Sequence, residues 1–122
     1  MTNAPVVLVV EDDPLILIHS HLALEDAGFT ALPVRDANEA LDALSTRRDI
    51  HALFTDVRLP GALDGLALAK RVHAERPEME IVVTSGSTKV DVSTLPRGAR
   101  FLPKPYTAYQ VTRLLAKADA GA

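Results

Sequence analysis

Apolar and polar positions along the chain follow two rhythms. Short runs that are apolar at nearly every position, such as Val6-Val7-Leu8-Val9-Val10 and Ile81-Val82-Val83, alternate with longer stretches in which apolar residues recur every three or four positions. A continuous apolar run fits a strand covered on both faces, and the longer rhythm fits an amphipathic helix. The repeating pair predicts βα units around a parallel sheet. Strands are expected at residues 6–10, 30–34, 52–55, 81–84 and 99–102. Pro33 in the second strand has no N–H to give a ladder, which predicts a sheet edge.

The first helix is expected to start at Pro14 and stop at Gly28, residue types favoured just inside a helix start and just past a helix end. The second follows Asp36 or Asn38 as cap, with Ala40, Leu41 and Leu44 on one face. The third spans 64–75, with Leu66, Ala69 and Val72 inward and Pro77 behind it, and the last spans 108–118, burying Val111, Leu114 and Leu115. Between Ser87 and Pro96 the rhythm fails. The segment is rich in β-branched residues, and Pro96 pushes Leu95 away from helical dihedrals. A short or irregular element is expected there, with Thr88 and Asp91 spaced to cap a single turn.

Composition narrows the class. At 122 residues, 48% hydrophobic and 24% charged, the chain has the profile of one globular domain, residues 1–122, and not of a disordered segment. Aromatic content of 4% leaves the packing to aliphatic side chains. The net charge of -3, with Arg47-Arg48 and Lys70-Arg71 as isolated pairs, argues against direct nucleic-acid binding. No cysteine is present, which excludes disulfides, zinc-thiolate sites and thiol catalysis. No apolar run approaches the ~18 residues of a membrane span, so the chain is expected in the cytoplasm, off the membrane.

The chemistry gathers where the predicted strands end. Glu11-Asp12-Asp13 follow the first, Asp56 the third, Ser85 the fourth and Lys104 the fifth. In an open parallel sheet, ligands bind outside the carboxyl ends of the strands, so these residues share one rim. Clustered carboxylates raise one another's pKa and call for an opposing charge. Mg²⁺ meets that need with oxygen ligands and shares its coordination shell with phosphate oxygens. Asp56, alone on its strand end, is the natural nucleophile, and Glu11 and Asp12 are placed to hold the ion. Lys104 supplies a point charge and the Ser85 hydroxyl a hydrogen bond for phosphoryl oxygens. The Lys104-Pro105 bond is a candidate cis peptide.

Each part has a plainer reading. Three acids behind a strand can simply be charge at a helix N-terminus, Asp56 can open a loop, and a lysine beside proline is usually solvated. Their order on successive strands is what weighs against coincidence. His19 and His21 point to different sides of a helix, and His51 and His73 have no sequence neighbour to pair with, so all four are read as structural or surface residues.

Val9-Val10-Glu11-Asp12-Asp13-Pro14, Asp56-x-x-x-Pro60, Thr84-Ser85-Gly86 and Phe101-Leu102-Pro103-Lys104-Pro105 together resemble the receiver domain of two-component response regulators over the whole chain. The resemblance implies a (βα)5 flavodoxin-like, doubly wound sheet of order 2-1-3-4-5. It also implies a phosphoprotein that takes its phosphoryl group from a histidine kinase or histidine phosphotransfer protein and changes its protein contacts in response. Asp56 matches the phosphoacceptor, and Glu11 and Asp12 match the acid pair, with Asp12 the direct Mg²⁺ ligand and Glu11 acting through water. The backbone carbonyl of Arg58 matches the third protein ligand, Ser85 and Lys104 the phosphoryl-binding residues, and Phe101 the aromatic switch. Arg58 and Ser87, two residues after Asp56 and Ser85, stand where a hydrolytic water would approach and are expected to modulate dephosphorylation. The interval from Ser85 to Lys104 is a few residues shorter than is usual in the family; the surface formed by the fourth helix, fifth strand and fifth helix is the family's usual output and dimerisation face, so the shortening argues against conventional dimerisation through it.

A stand-alone receiver serving as adaptor, relay or phosphate sink is therefore the leading expectation. A haloacid-dehalogenase-like phosphatase also uses a strand-end Asp with Mg²⁺, but it expects a second Asp where this chain has Arg58. A binding module independent of phosphorylation is the third reading, motivated by the irregular segment after Ser85.

Overall fold

A computed structural model describes residues 4–86 and 90–120. The chain runs β1 (Val6–Val10), α1 (Pro14–Asp26), β2 (Thr30–Val34), α2 (Ala37–Thr46), β3 (Ile50–Asp56), α3 (Gly65–Glu75), β4 (Glu80–Ser85), a 3-10 turn (Val92–Thr94), β5 (Arg100–Pro103) and α4 (Ala108–Ala120). The strands form one parallel sheet of order β2-β1-β3-β4-β5. Pro33 lies in an edge strand, as its missing donor requires.

Alternation along the strands sorts the core into two layers. Val6, Leu8, Val10, Leu53, Ile81 and Val83 face α2 and α3, while Val7, Val9, Ala52, Phe54 and Val82 face α1 and α4. Both faces of the central strands are thus dry, the physical reason their sequences are apolar throughout. In α3 the buried residues are Gly65, Leu68, Ala69 and Val72. Ala69 and Val72 point inward as expected, but Leu66 is only half-buried, because the dry face follows the 65, 68, 69, 72 spacing of one helix stripe and Leu66 lies at its margin.

Helix ends are fixed by side chains and by one glycine. Asp13 caps α1 through bonds from the Leu15 and Ile16 N–H groups, and Asp36, rather than Asn38, caps α2 through Glu39 N–H. Gly28, at φ +96°, ends α1: its N–H donates to Glu25 O and Phe29 N–H donates to Leu24 O. That pair of bonds is a Schellman closure, sealed by Phe29 and Leu24 in the same core layer.

Between β4 and β5 the described residues hold a single 3-10 turn, as the β-branched sequence anticipated. Asp91 caps it through Ser93 N–H; Thr88, its expected partner, lies outside the described residues. Lys104-Pro105 is a cis peptide.

Candidate functional site

The three acids after β1 take separate roles. Asp13 turns away as the α1 cap, leaving Glu11 and Asp12 at the sheet rim. Glu11 is 4% exposed, and its Oε2 accepts from Asp13 N–H at 3.1 Å. On β3, Asp56 is 7% exposed, and its Oδ1 accepts from Arg58 N–H at 3.2 Å. Oxygen atoms of Glu11, Asp12 and Asp56 lie within 4.8 Å of one another, and Asp12 is the exposed member of the three.

Lys104 crosses this cluster. Its Nζ donates to Glu11 Oε1 at 2.9 Å and to Asp56 Oδ2 at 2.8 Å, with one fifth of its side chain exposed. Its backbone N–H donates to Ser85 O at 2.9 Å, so the end of β4 anchors the residue that carries the ammonium. Burial pushes the Glu11 carboxyl above its usual value, against the opposing pull of the Asp13 N–H and Lys104. Desolvation is also the largest influence on Lys104, yet the bonds to Asp56 and Glu11 outweigh it and leave the ammonium harder to deprotonate than usual.

Ser85 is buried at the last position of β4, one residue beyond Thr84, which pairs with Asp56 across the sheet. Phe101 is half-buried on β5 opposite Val83 and borders a groove with Gln110, Arg113 and Leu114. Arg58 is exposed in the loop after β3. Ser87 lies outside the described residues. Among the histidines, His51 serves the fold, since its Nδ1 accepts from Val6 N–H at 3.2 Å.

Two supports are not evident from residue order. Tyr106 donates to or accepts from Ser20 Oγ at 3.1 Å and sets its ring edge-on to Phe54 at 5.5 Å, tying the turn after Lys104 to α1 and β3. Burial raises the Tyr106 phenol, keeping it neutral. Its position directly after the Lys104-Pro105 pair was the available signal. Thr55 Oγ1 donates to the Asp56 carbonyl at 2.9 Å within the core, and nothing in the residue order marks it.

The donor set fits Mg²⁺. All three groups are carboxylates, hard oxygen donors without nitrogen or sulfur, and the exposure of Asp12 leaves room for the waters that this ion retains. A parallel five-stranded sheet with a carboxylate trio and a lysine at its carboxyl rim is a flavodoxin-like open α/β fold with its polar site where that class binds ligands, outside the strand ends.

Comparison with known proteins makes the family specific. Residues 7–116 match the response regulator receiver domain, and the chain belongs to that family. It is 34% identical over 113 residues to the DNA-binding transcriptional regulator NtrC of Klebsiella pneumoniae, covering 90% of this chain and 24% of that protein. The nitrogen assimilation regulatory protein NtrX of Azorhizobium caulinodans is 38% identical over 84% of this chain and 23% of its own. Thus the chain spans about a quarter of the length of these curated relatives. Among solved structures, a receiver protein from Sinorhizobium medicae superposes with a TM-score of 0.88 at 27% identity, over 94% of both chains. The receiver domain of NtrX from Brucella abortus gives 0.83 at 34% identity, over 92% of this chain and 96% of that one. Receiver domains are signalling modules of two-component systems, generally not enzymes, and no described helix here is long and apolar enough to cross a membrane.

Proposed function

We propose that this receiver takes a phosphoryl group from the phosphohistidine of a histidine kinase or histidine phosphotransfer protein onto Asp56. The observation that carries the reading is the Lys104 ammonium, held between Glu11 and Asp56 at hydrogen-bond distance from both. In the transfer the P–N bond of the donor breaks and a P–O bond to Asp56 forms, and the donor imidazole leaves with the electron pair. Burial of Asp56 keeps competing water away. Lys104 releases its bond to the carboxylate and turns to a phosphoryl oxygen, with the Ser85 hydroxyl taking another. Asp12 and Asp56, the Arg58 carbonyl, and Glu11 through water would hold Mg²⁺, which when bound neutralises charge on the phosphoryl oxygens.

The added charge of about −1.5 to −2 at Asp56 then biases Ser85 and Phe101 between two packings and so changes which proteins dock. The donor has a surface to meet. Leu15, Ile18 and Leu22 stand exposed in a row on α1, a helix without a basic residue in its last turn, and Leu15 borders a groove with Pro105, Tyr106 and Lys104. Such a reaction cycle belongs in the cytoplasm, where a relay, an adaptor or a phosphate sink would use it.

Incubation with Mg²⁺ and acetyl phosphate labels Asp56 in the wild type and leaves Asp56→Asn unlabelled; labelling of the variant would assign the phosphoacceptor elsewhere. Steady turnover of phosphate monoesters by the wild type would favour a phosphatase instead. Arg58, exposed beside the acceptor, screens the phosphoaspartate from water, so Arg58→Ala changes the decay rate of the labelled protein. An unchanged decay constant removes that role.

A further inference from the structure

The first residue of α3 lies against the backbone of Asp56 itself. A Cβ built on Gly65 would stand 1.6 Å from the Asp56 carbonyl oxygen, 2.6 Å from its carbonyl carbon and 3.0 Å from Thr55 Oγ1. The requirement is one of space and not of backbone angle, since positive φ among the glycines belongs to Gly28, Gly61 and Gly98. A Gly65 Cα hydrogen therefore points at the carbonyl that Thr55 Oγ1 also bonds at 2.9 Å. From the other side, Gly65 N–H donates to Val57 O at 2.7 Å and closes the loop 57–64 on itself. Arg58, whose N–H donates to Asp56 Oδ1, lies in that loop. Asp64 caps α3 through Ala67 N–H, so the helix holds its first residue firmly in this contact.

We propose that Gly65 is a positioning residue for phosphoryl acceptance. It fixes the plane of the Asp56–Val57 peptide, and through it the bearing of the Asp56 carboxylate and of the Arg58 backbone toward the incoming group. The inference rests on the reading of Asp56 as phosphoacceptor. With a methyl at position 65, the α3 terminus and the Asp56 carbonyl must part by well over an ångström, and both atoms are backbone, so no side-chain rotation relieves the contact. The displacement is delivered to the two groups that the transfer needs in register.

The test compares Gly65→Ala with Gly61→Ala, whose φ of +94° strains the same loop while its methyl meets nothing within 4 Å. Gly65→Ala lowers the initial rate of Mg²⁺-dependent labelling by acetyl phosphate by about 100-fold per folded molecule, the loss expected for a displacement on the ångström scale. It also weakens Mg²⁺ binding by calorimetry. Gly61→Ala labels and binds at close to wild-type values. A folded Gly65→Ala protein with the wild-type rate and Mg²⁺ affinity would overturn the assignment, as would a loss that merely follows the unfolded fraction. Should Gly65→Ala not fold, Thr55→Val, which frees the same carbonyl without adding bulk, decides: slowed labelling supports the proposal and an unchanged rate refutes it. Wild type that binds Mg²⁺ but takes no label would remove the phosphoacceptor reading, and the positioning claim then stands or falls on the Mg²⁺ affinities of the variants.

Discussion

Replacement of Lys104 by alanine removes the one cation bonded to the acidic cluster among the described residues. The ammonium bonds Glu11 and Asp56, whose side chains are only 5% and 9% exposed, so its loss leaves two buried like charges facing each other beside Asp12. Breaking a fully buried pair from one side costs about 3–5 kcal/mol. Because the lysine is one-fifth exposed and the cluster opens to water at Asp12, we expect about 2 kcal/mol. For a domain of this size that is a fall in melting temperature of about 6–10 °C. The deficit has a signature in pH. Lys104 titrates above its ordinary 10.5, so its contribution is whole at neutral pH and is lost only as pH rises through the higher folded value. Glu11 behaves oppositely: once protonated it needs no counter-charge, so the gap between variant and wild type narrows as pH falls through its raised folded value. Thermal melts in chelator from pH 4 to 8 measure the closing of the gap in acid, and in excess Mg²⁺ the gap narrows because the ion replaces the missing charge. Equal melting of the two proteins in chelator at pH 7, or a deficit that neither acid nor Mg²⁺ reduces, would refute the electrostatic account.

Two further expectations concern the rim and the α1 face. Burial holds the Glu11 carboxyl above its ordinary 4.5, so the folded state binds that proton more tightly than the unfolded chain, and stability falls as pH rises from 4.5 through the folded value. Glu11→Gln removes that slope; metal-free denaturation curves showing an equal or steeper fall in the variant would contradict it. Leu22→Asp on the exposed α1 row shifts stability by less than about 0.5 kcal/mol, since the side chain is 61% exposed. It slows phosphotransfer from the partner kinase while leaving labelling by acetyl phosphate untouched, and an equal effect on both donors would place the residue in the chemistry instead.

Much of this protein was legible in residue order. Runs such as Val6-Val7-Leu8-Val9-Val10 report burial on both faces, Pro33 reports an edge, and Gly28 reports the end of α1, because each is a local consequence of backbone geometry. The candidate site was legible for a related reason: strand ends in a parallel sheet share one rim, so Glu11, Asp12, Asp56, Ser85 and Lys104 could be assigned to it from their places after the strands. Tertiary structure decided what depends on distance between segments. It assigned Asp13 to the α1 cap and Glu11 to Lys104, a choice among three adjacent acids that spacing leaves open. It put Leu68 rather than Leu66 beside Ala69 and Val72 on the inner face of α3, placed Tyr106 on Ser20 across 86 residues, and set Gly65 against the Asp56 carbonyl. Periodicity records which side of an element is dry, whereas contacts between remote groups exist only once the sheet has brought its strand ends together.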